Sequence, residues 1–175
     1  MHAVVIAVTV QPDRHARRAI AGRFSSRWQR NYARGKLAID PLYSATAQAI
    51  ARSSPLPLLD IGCGMGLLGQ YLHACSLLHG YSGIDLDERK IESGRRAAAS
   101  MDDNFQLRHA DVSDMPDFRG HVAMLDVLHY LPAPRQATLL EQVASHVAPG
   151  GLLVMRNVLR ERNWRFRTTV IEEKL

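Results

Sequence analysis

The stretch Leu58-Leu59-Asp60-Ile61-Gly62-Cys63-Gly64-Met65-Gly66 decides the fold. An apolar run ends in an acid, then in three glycines at alternate positions, and a helical pattern follows from Leu67. The order reads as strand, tight turn, helix. A glycine-rich turn at that junction lets backbone amides approach a ligand closely. Dinucleotide sites use such a turn too, but their G-x-G-x-x-G pattern would place the third glycine at position 67, which is Leu.

Downstream the same alternation repeats. Tyr81–Ile84 is apolar and ends at Asp85; Phe105–His109 alternates and ends at Asp111; Val122–Leu125 ends at Asp126. Helical patterns fill the gaps at Leu67–Leu78, at Glu88–Ser100 with Asp87 as its cap, and at Pro134–Val147. Pro149-Gly150-Gly151 then turns the chain into a fifth apolar run, Leu152–Met155. Strands alternating with helices predict an α/β fold: a doubly wound, mostly parallel sheet with helices on both faces.

Upstream, residues 13–34 read as a helix whose Phe24, Trp28 and Tyr32 form one aromatic stripe, with Gly35 ending it. A second helix runs from Asp40, with Pro41 at its first position, through Ile50, and Ser53, Ser54, Pro55 and Pro57 break it. The chain thus divides into a basic helical segment, 1–54, and a Rossmann-like domain, 55–175.

Composition bounds the function. The chain has 175 residues, 46% apolar and 22% charged, with a net charge of +5. That is one soluble domain's worth of chain. Residues 1–39 hold eight basic residues and one acid, whereas residues 40–155 hold eight basic and thirteen acidic. The basic character lies at the ends, so a nucleic-acid reading from overall charge would be misplaced. Two cysteines build neither a disulfide scaffold nor a metal site. The apolar start MHAVVIAVTV has no Lys or Arg before it, which argues against a secretory signal and for a cytoplasmic protein with reduced thiols. No apolar run is long enough for a membrane span.

Four acids, Asp60, Asp85, Asp111 and Asp126, stand at strand ends that border one crevice in an open parallel sheet. A fixed charge at Asp60 would repel a phosphate at the turn. The crevice suits a ligand with hydroxyls, an amine and positive charge, which describes S-adenosylmethionine.

With these motifs the chain resembles the class I S-adenosylmethionine-dependent methyltransferases. DIGCGMG at 60–66, GIDLD at 83–87, HADVSDMP at 109–116, MLDVLHYLP at 124–132 and APGGLLVMRN at 148–157 resemble that family's successive motifs, in register. The resemblance implies that Asp60, Gly62, Gly64 and Gly66 border the methionine part and the ribose, and that Asp85 accepts from both ribose hydroxyls. It places Leu86 beside the ribose and adenine, Asp111 at the adenine amine with the Val112 backbone beside it, and Asp126 near the sulfonium and ammonium. His129 and Tyr130 follow the fourth strand, where acceptor meets methyl group, and His129 is a candidate general base.

The resemblance also implies a partner class and a departure. The acceptor is a small molecule or a carrier-bound acyl intermediate, with the Arg30–Lys36 region able to meet a carboxylate or an acyl carrier protein. A cofactor-binding protein with impaired catalysis and an RNA methyltransferase are the alternatives, although the asparagine-proline-proline-aromatic signature of amino methylation is replaced by Asp126-Val127-Leu128-His129. No DNA partner and no metal are expected. The family's sheet ends in an antiparallel hairpin, and the residues after Met155 are too few for it. Either the chain is a fragment or truncation of a longer enzyme, or the sheet stops at five strands and the fifth is expected to be covered by the tail or by a homodimer.

Overall fold

The computed structural model describes residue 12 and residues 14–157. Three helices come first: α1 (Arg14–Gly22), α2 (Arg27–Ile39) and α3 (Pro41–Ile50). Five strands then alternate with helices: β1 (Leu58–Ile61), α4 (Leu67–Ala74), β2 (Tyr81–Asp85), α5 (Glu88–Ala97), β3 (Phe105–His109), β4 (His121–Leu125), α6 (Ala133–His146) and β5 (Leu153–Arg156). All pairings are parallel, in the order β3-β2-β1-β4-β5. The expected fold class is what the chain adopts. The chain winds outward from β1 in one direction and then returns to β4, so the switch point lies between β1 and β4.

The strand period of two splits the core in two layers. On one face Leu58, Tyr81, Leu107 and Ala123 join Leu68, Tyr71, Leu72 and Ile91, together with Ile20, Phe24, Ala33, Leu37, Ala47 and Ile50 of the N-terminal helices. On the other face Leu59, Ile61, Ile84, Val122 and Met124 meet Leu139 and Val143 of α6. Each of the Val, Leu, Ile, Phe and Met side chains among them, taken out of water, stabilises the fold by roughly 1.5–3 kcal/mol before chain entropy is set against it. The basic N-terminal helices therefore share the apolar interior of the sheet's first layer.

Two expectations for this segment are corrected. Residues 13–34 do not form one helix: the chain turns a corner between α1 and α2, where Phe24 inserts into the core and Arg30 Nη1 donates to the carbonyls of Phe24 and Ser25 at 3.0 and 2.6 Å. The aromatic stripe is split accordingly. Trp28 and Tyr32 stay outside, 54% and 41% exposed, and stack on each other at 5.4 Å. Nor does Gly35 end the helix. α2 continues to Ile39 because the helical hydrogen bonds run on to Asp40 N–H, donating to Lys36 C=O, and the stop comes from Asp40. Asp40 is extended, as a residue before proline prefers, and its carboxylate caps α3 by accepting from Leu42 N–H.

At the opposite end of the sheet His121 is buried at the start of β4. Its Nδ1 accepts from Leu152 N–H at 3.1 Å and its Nε2 lies 2.9 Å from the carbonyl of Ser54. The two partners fit a neutral ring with the proton on Nε2, and burial lowers its pKa. β5 is an outer strand of the described sheet, with Leu153 and Met155 half-exposed.

Candidate functional site

The carboxyl ends of β1, β2 and β4 carry the turn and three of the four acids. Gly62, Gly64 and Gly66 all adopt positive φ, at 72°, 55° and 69°. At Gly62 there is also no room: a Cβ would run into the side chain of Val127 after β4. At Gly64 a Cβ would meet only the Lys90 stem, at 4.0 Å, so the loop faces open space there. The turn is tied down from below by Gly62 N–H and Cys63 N–H, both donating to Ile84 C=O at 2.8 and 3.0 Å.

Asp85 fixes it from the side. One carboxylate oxygen accepts from Gly64 N–H and the other from Asp87 N–H, both at 2.8 Å. Asp87 in turn caps α5 by accepting from Arg89 and Lys90 N–H. A carboxylate has about four acceptor positions, so each Asp85 oxygen retains capacity for a further donor. Leu86 beside it is 63% exposed, an apolar side chain held at the rim.

Asp60 behaves differently from its expected role. It points into the core layer toward Tyr81, is 2% exposed, and accepts from the Tyr81 hydroxyl at 2.5 Å. Tyr81 stacks on Phe105 at 4.5 Å. Burial pushes the Asp60 carboxyl up to about 7, against the Tyr81 hydrogen bond, and the charge of Asp85 adds to the rise. The negative charge that the sequence suggests at this position is thus disfavoured by burial. Of the acids near the turn, Asp85 holds a loop amide directly.

Asp111 follows β3 and accepts from both N–H and Oγ of Ser113, at 2.9 and 2.7 Å, through Oδ1. Those bonds hold its carboxyl below the usual carboxylate range. Val112 opens the short 3-10 turn Val112–Asp114 and packs its side chain against the second core layer. Asp126 follows β4 with φ +59°, a left-handed conformation that is uncommon outside glycine. Its N–H donates to Arg156 C=O at 2.8 Å, and its carboxylate is gripped by the Arg156 guanidinium. His129 and Tyr130 lie in the 3-10 turn Leu128–Tyr130, ring to ring at 4.1 Å. His129 Nδ1 is 3.3 Å from the Asn157 amide oxygen at the end of β5. Tyr130 is 60% exposed.

The structure therefore gathers Gly62, Gly64, Gly66, Asp85 and Leu86 at one turn, and Asp126, His129 and Tyr130 beside it across the switch point. Sequence reasoning missed three residues there. Tyr81 is the partner of Asp60. Arg156 is the partner of Asp126 and of Asp40. Tyr43 on α3 packs at 5.6 Å from Tyr71, and its phenol is pushed upward by burial and by the fields of Tyr32, Asp40 and Asp60, with Arg156 opposing. The visible signal for Arg156 is a lone cation at the end of an otherwise apolar strand.

Among the described residues no cluster of His, Cys, Asp or Glu is arranged to hold a metal, and no helix is long and apolar enough to cross a membrane. Cys63 and Cys75 are free thiols, and burial pushes the Cys63 thiol well up.

Solved structures share this architecture. A magnesium protoporphyrin IX methyltransferase from Synechocystis PCC 6803 with bound SAM superposes with TM-score 0.53 at 20% identity, over 76% of this chain and 65% of its own. A structure of the complex of the Haloferax volcanii Trm112 methyltransferase activator gives 0.54 at 22%, over 69% of this chain and 53% of the matched chain. An S-adenosylmethionine-dependent methyltransferase from Mesorhizobium loti gives 0.51 at 25%, over 65% and 52%. The chain thus spans between half and two-thirds of the length of these relatives. Against curated proteins its sequence finds no match. A family model described as a methyltransferase domain matches residues 58–151, more than half of the 175. That segment holds the glycine turn, Asp85, Asp111 and Asp126, and the chain belongs to the methyltransferase domain family.

Proposed function

We propose that this chain binds S-adenosylmethionine at the Gly62–Gly66 turn and takes part in methyl transfer to a small-molecule or carrier-bound acceptor. The observation that carries the reading is the Asp85 bridge. One carboxylate organises the turn through Gly64 N–H and keeps acceptor capacity toward the open side of that turn. A ribose diol matches it, donating one hydroxyl to each oxygen. Leu86 supplies an apolar flank for a purine, and Asp111 an acceptor for its amine. The glycine spacing at 62, 64 and 66, with Leu67 where a dinucleotide turn needs its third glycine, favours this ligand over a dinucleotide.

The cofactor, when bound, supplies an activated methyl on a sulfonium. The protein's part is alignment of acceptor and methyl, and removal of a proton where the acceptor needs it. His129 is our candidate for the proton. The Asn157 amide oxygen fits an Nδ1–H donor, which would orient the ring. Tyr130, exposed beside it, is our candidate to flank the acceptor. We also read the chain as cytosolic, consistent with its two free thiols.

S-adenosylhomocysteine should raise the melting temperature and NAD should not. At about 100 times its dissociation constant the ligand stabilises by about 2.7 kcal/mol. Equal shifts from the two ligands would refute the cofactor assignment. In an acceptor screen that reads S-adenosylhomocysteine formation, His129→Gln should lose turnover, by roughly a hundredfold for a general base, while keeping the ligand-induced shift. Undiminished turnover would return His129 to a turn-forming role.

A further inference from the structure

Asp40, Asp126 and Arg156 come from three different elements and meet at one point of the crevice rim. Arg156 Nε lies 3.0 and 2.9 Å from the two oxygens of Asp126, and Nη2 bonds the same carboxylate. Nη1 lies 2.8 and 2.9 Å from the two oxygens of Asp40. One guanidinium thus grips two carboxylates, using the fixed fork that lysine lacks. The cluster is largely withdrawn from water: the side chains of Asp40, Asp126 and Arg156 are 11%, 21% and 34% exposed.

Both carboxylates have second tasks. Asp40 ends α2 and caps α3 through Leu42 N–H, so its position sets the corner between those helices. Lys36 approaches it at 3.6 Å from the last turn of α2. Asp126 turns the chain out of β4 in a left-handed conformation, and its backbone and side-chain bonds to Arg156 hold it there. The turn it begins carries His129, and Val127 next to it occupies the space that Gly62 leaves.

We propose that Arg156 is a positioning residue for the donor crevice: by clamping Asp40 to Asp126 it fixes the α2–α3 corner and the left-handed turn after β4 in one geometry. The assignment rests on the cofactor reading above for its functional meaning, and on the three-residue geometry for its existence. Arg156 itself need touch neither substrate nor cofactor. Its effect travels through Asp126 and Val127 to the glycine turn on one side, and through Asp40 to α3 on the other.

The test compares Arg156→Met, Arg156→Lys and Asp40→Asn with the native protein in two measurements. The first is S-adenosylhomocysteine affinity by calorimetry. The second is amide hydrogen exchange over residues 41–46 and 126–130 in the unliganded protein. Arg156→Met should weaken the ligand at least tenfold and speed exchange in both segments. Arg156→Lys should restore part of each, because an ammonium cannot hold both carboxylates in fork geometry. Asp40→Asn keeps a good helix cap while removing one gripped charge; it should fold as the native protein does and weaken the ligand severalfold. A melting temperature that falls in Arg156→Met while affinity and exchange at 126–130 stay native would make Arg156 merely structural and overturn the proposal. If the native protein itself fails to bind S-adenosylhomocysteine, the cofactor reading fails. The exchange measurement then still decides the clamp, since unchanged exchange in both segments would remove it.

Discussion

Asp60→Asn should yield a protein that is more stable than the native one at about pH 8, by roughly 4 kcal/mol, with the gap closing toward about pH 4. The native carboxyl is buried and pushed up to about 7, about three units above a free aspartate. A carboxyl raised in the folded state binds its proton more tightly there than in the unfolded chain. Its contribution is therefore fully present below the unfolded value of about 4, is lost as pH rises through the folded value near 7, and is level above that. Tyr81, itself pushed well up by burial, keeps its proton throughout and donates to position 60 in either form. Asparagine offers that hydroxyl a carbonyl oxygen and carries no charge to desolvate. Urea unfolding of both proteins across the range gives the comparison. His121 titrates with the opposite sign, its lowered pKa removing stability as pH falls through the folded value, but it is common to both proteins and cancels in the difference. A difference that does not grow with pH would show that Asp60 is solvated or ionised in the fold.

Asp85→Ala should cost S-adenosylhomocysteine binding about 3 kcal/mol, on the order of a hundredfold in affinity. Two effects add. The variant removes the two charge-assisted acceptors proposed for the ribose, and it releases Gly64 N–H and Asp87 N–H from the bonds that set the turn and the start of α5. Asp85→Asn separates them, because its amide oxygen replaces one acceptor while its NH2 group repels the other donor. Circular dichroism should report an intact fold for both, since Asp85 caps a strand end and lies outside both core layers. Native affinity in Asp85→Ala, read by calorimetry, would exclude this carboxylate from the site.

What was legible from sequence follows the range of the interaction. Strand β3 and the Asp87 cap were readable because a period of two and an Asx cap are written within a few consecutive residues. So was the glycine turn, whose positive φ angles demand the residue type seen. Gly35 misled, because a glycine inside a helix costs only about 1 kcal/mol and the packing of Ala33 and Leu37 on either side carries the helix through. The partners of Asp60 and Asp126 were out of reach for a different reason. Tyr81 lies 21 residues from Asp60, and Arg156 lies 30 residues from Asp126; only the sheet register brings each pair together. Asp60 read as a ligand-facing charge because sequence shows that a strand ends in an acid, but not which face of the sheet that acid takes.

Helix α3 is fastened at both ends. At its start Asp40 is held by Arg156 at the carboxyl ends of the strands; just past its end the Ser54 carbonyl is held by His121 at their amino ends. A ten-residue helix is about 15 Å long and a four-residue strand about 13 Å, so α3 runs the height of the sheet like a stave. Ala47 and Ile50 seal it to the core between the two fastenings. Helix α3 is therefore also a wall of the molecule, and substitutions along it should be tolerated best when they arrive together with compensating changes in α4 or at position 121.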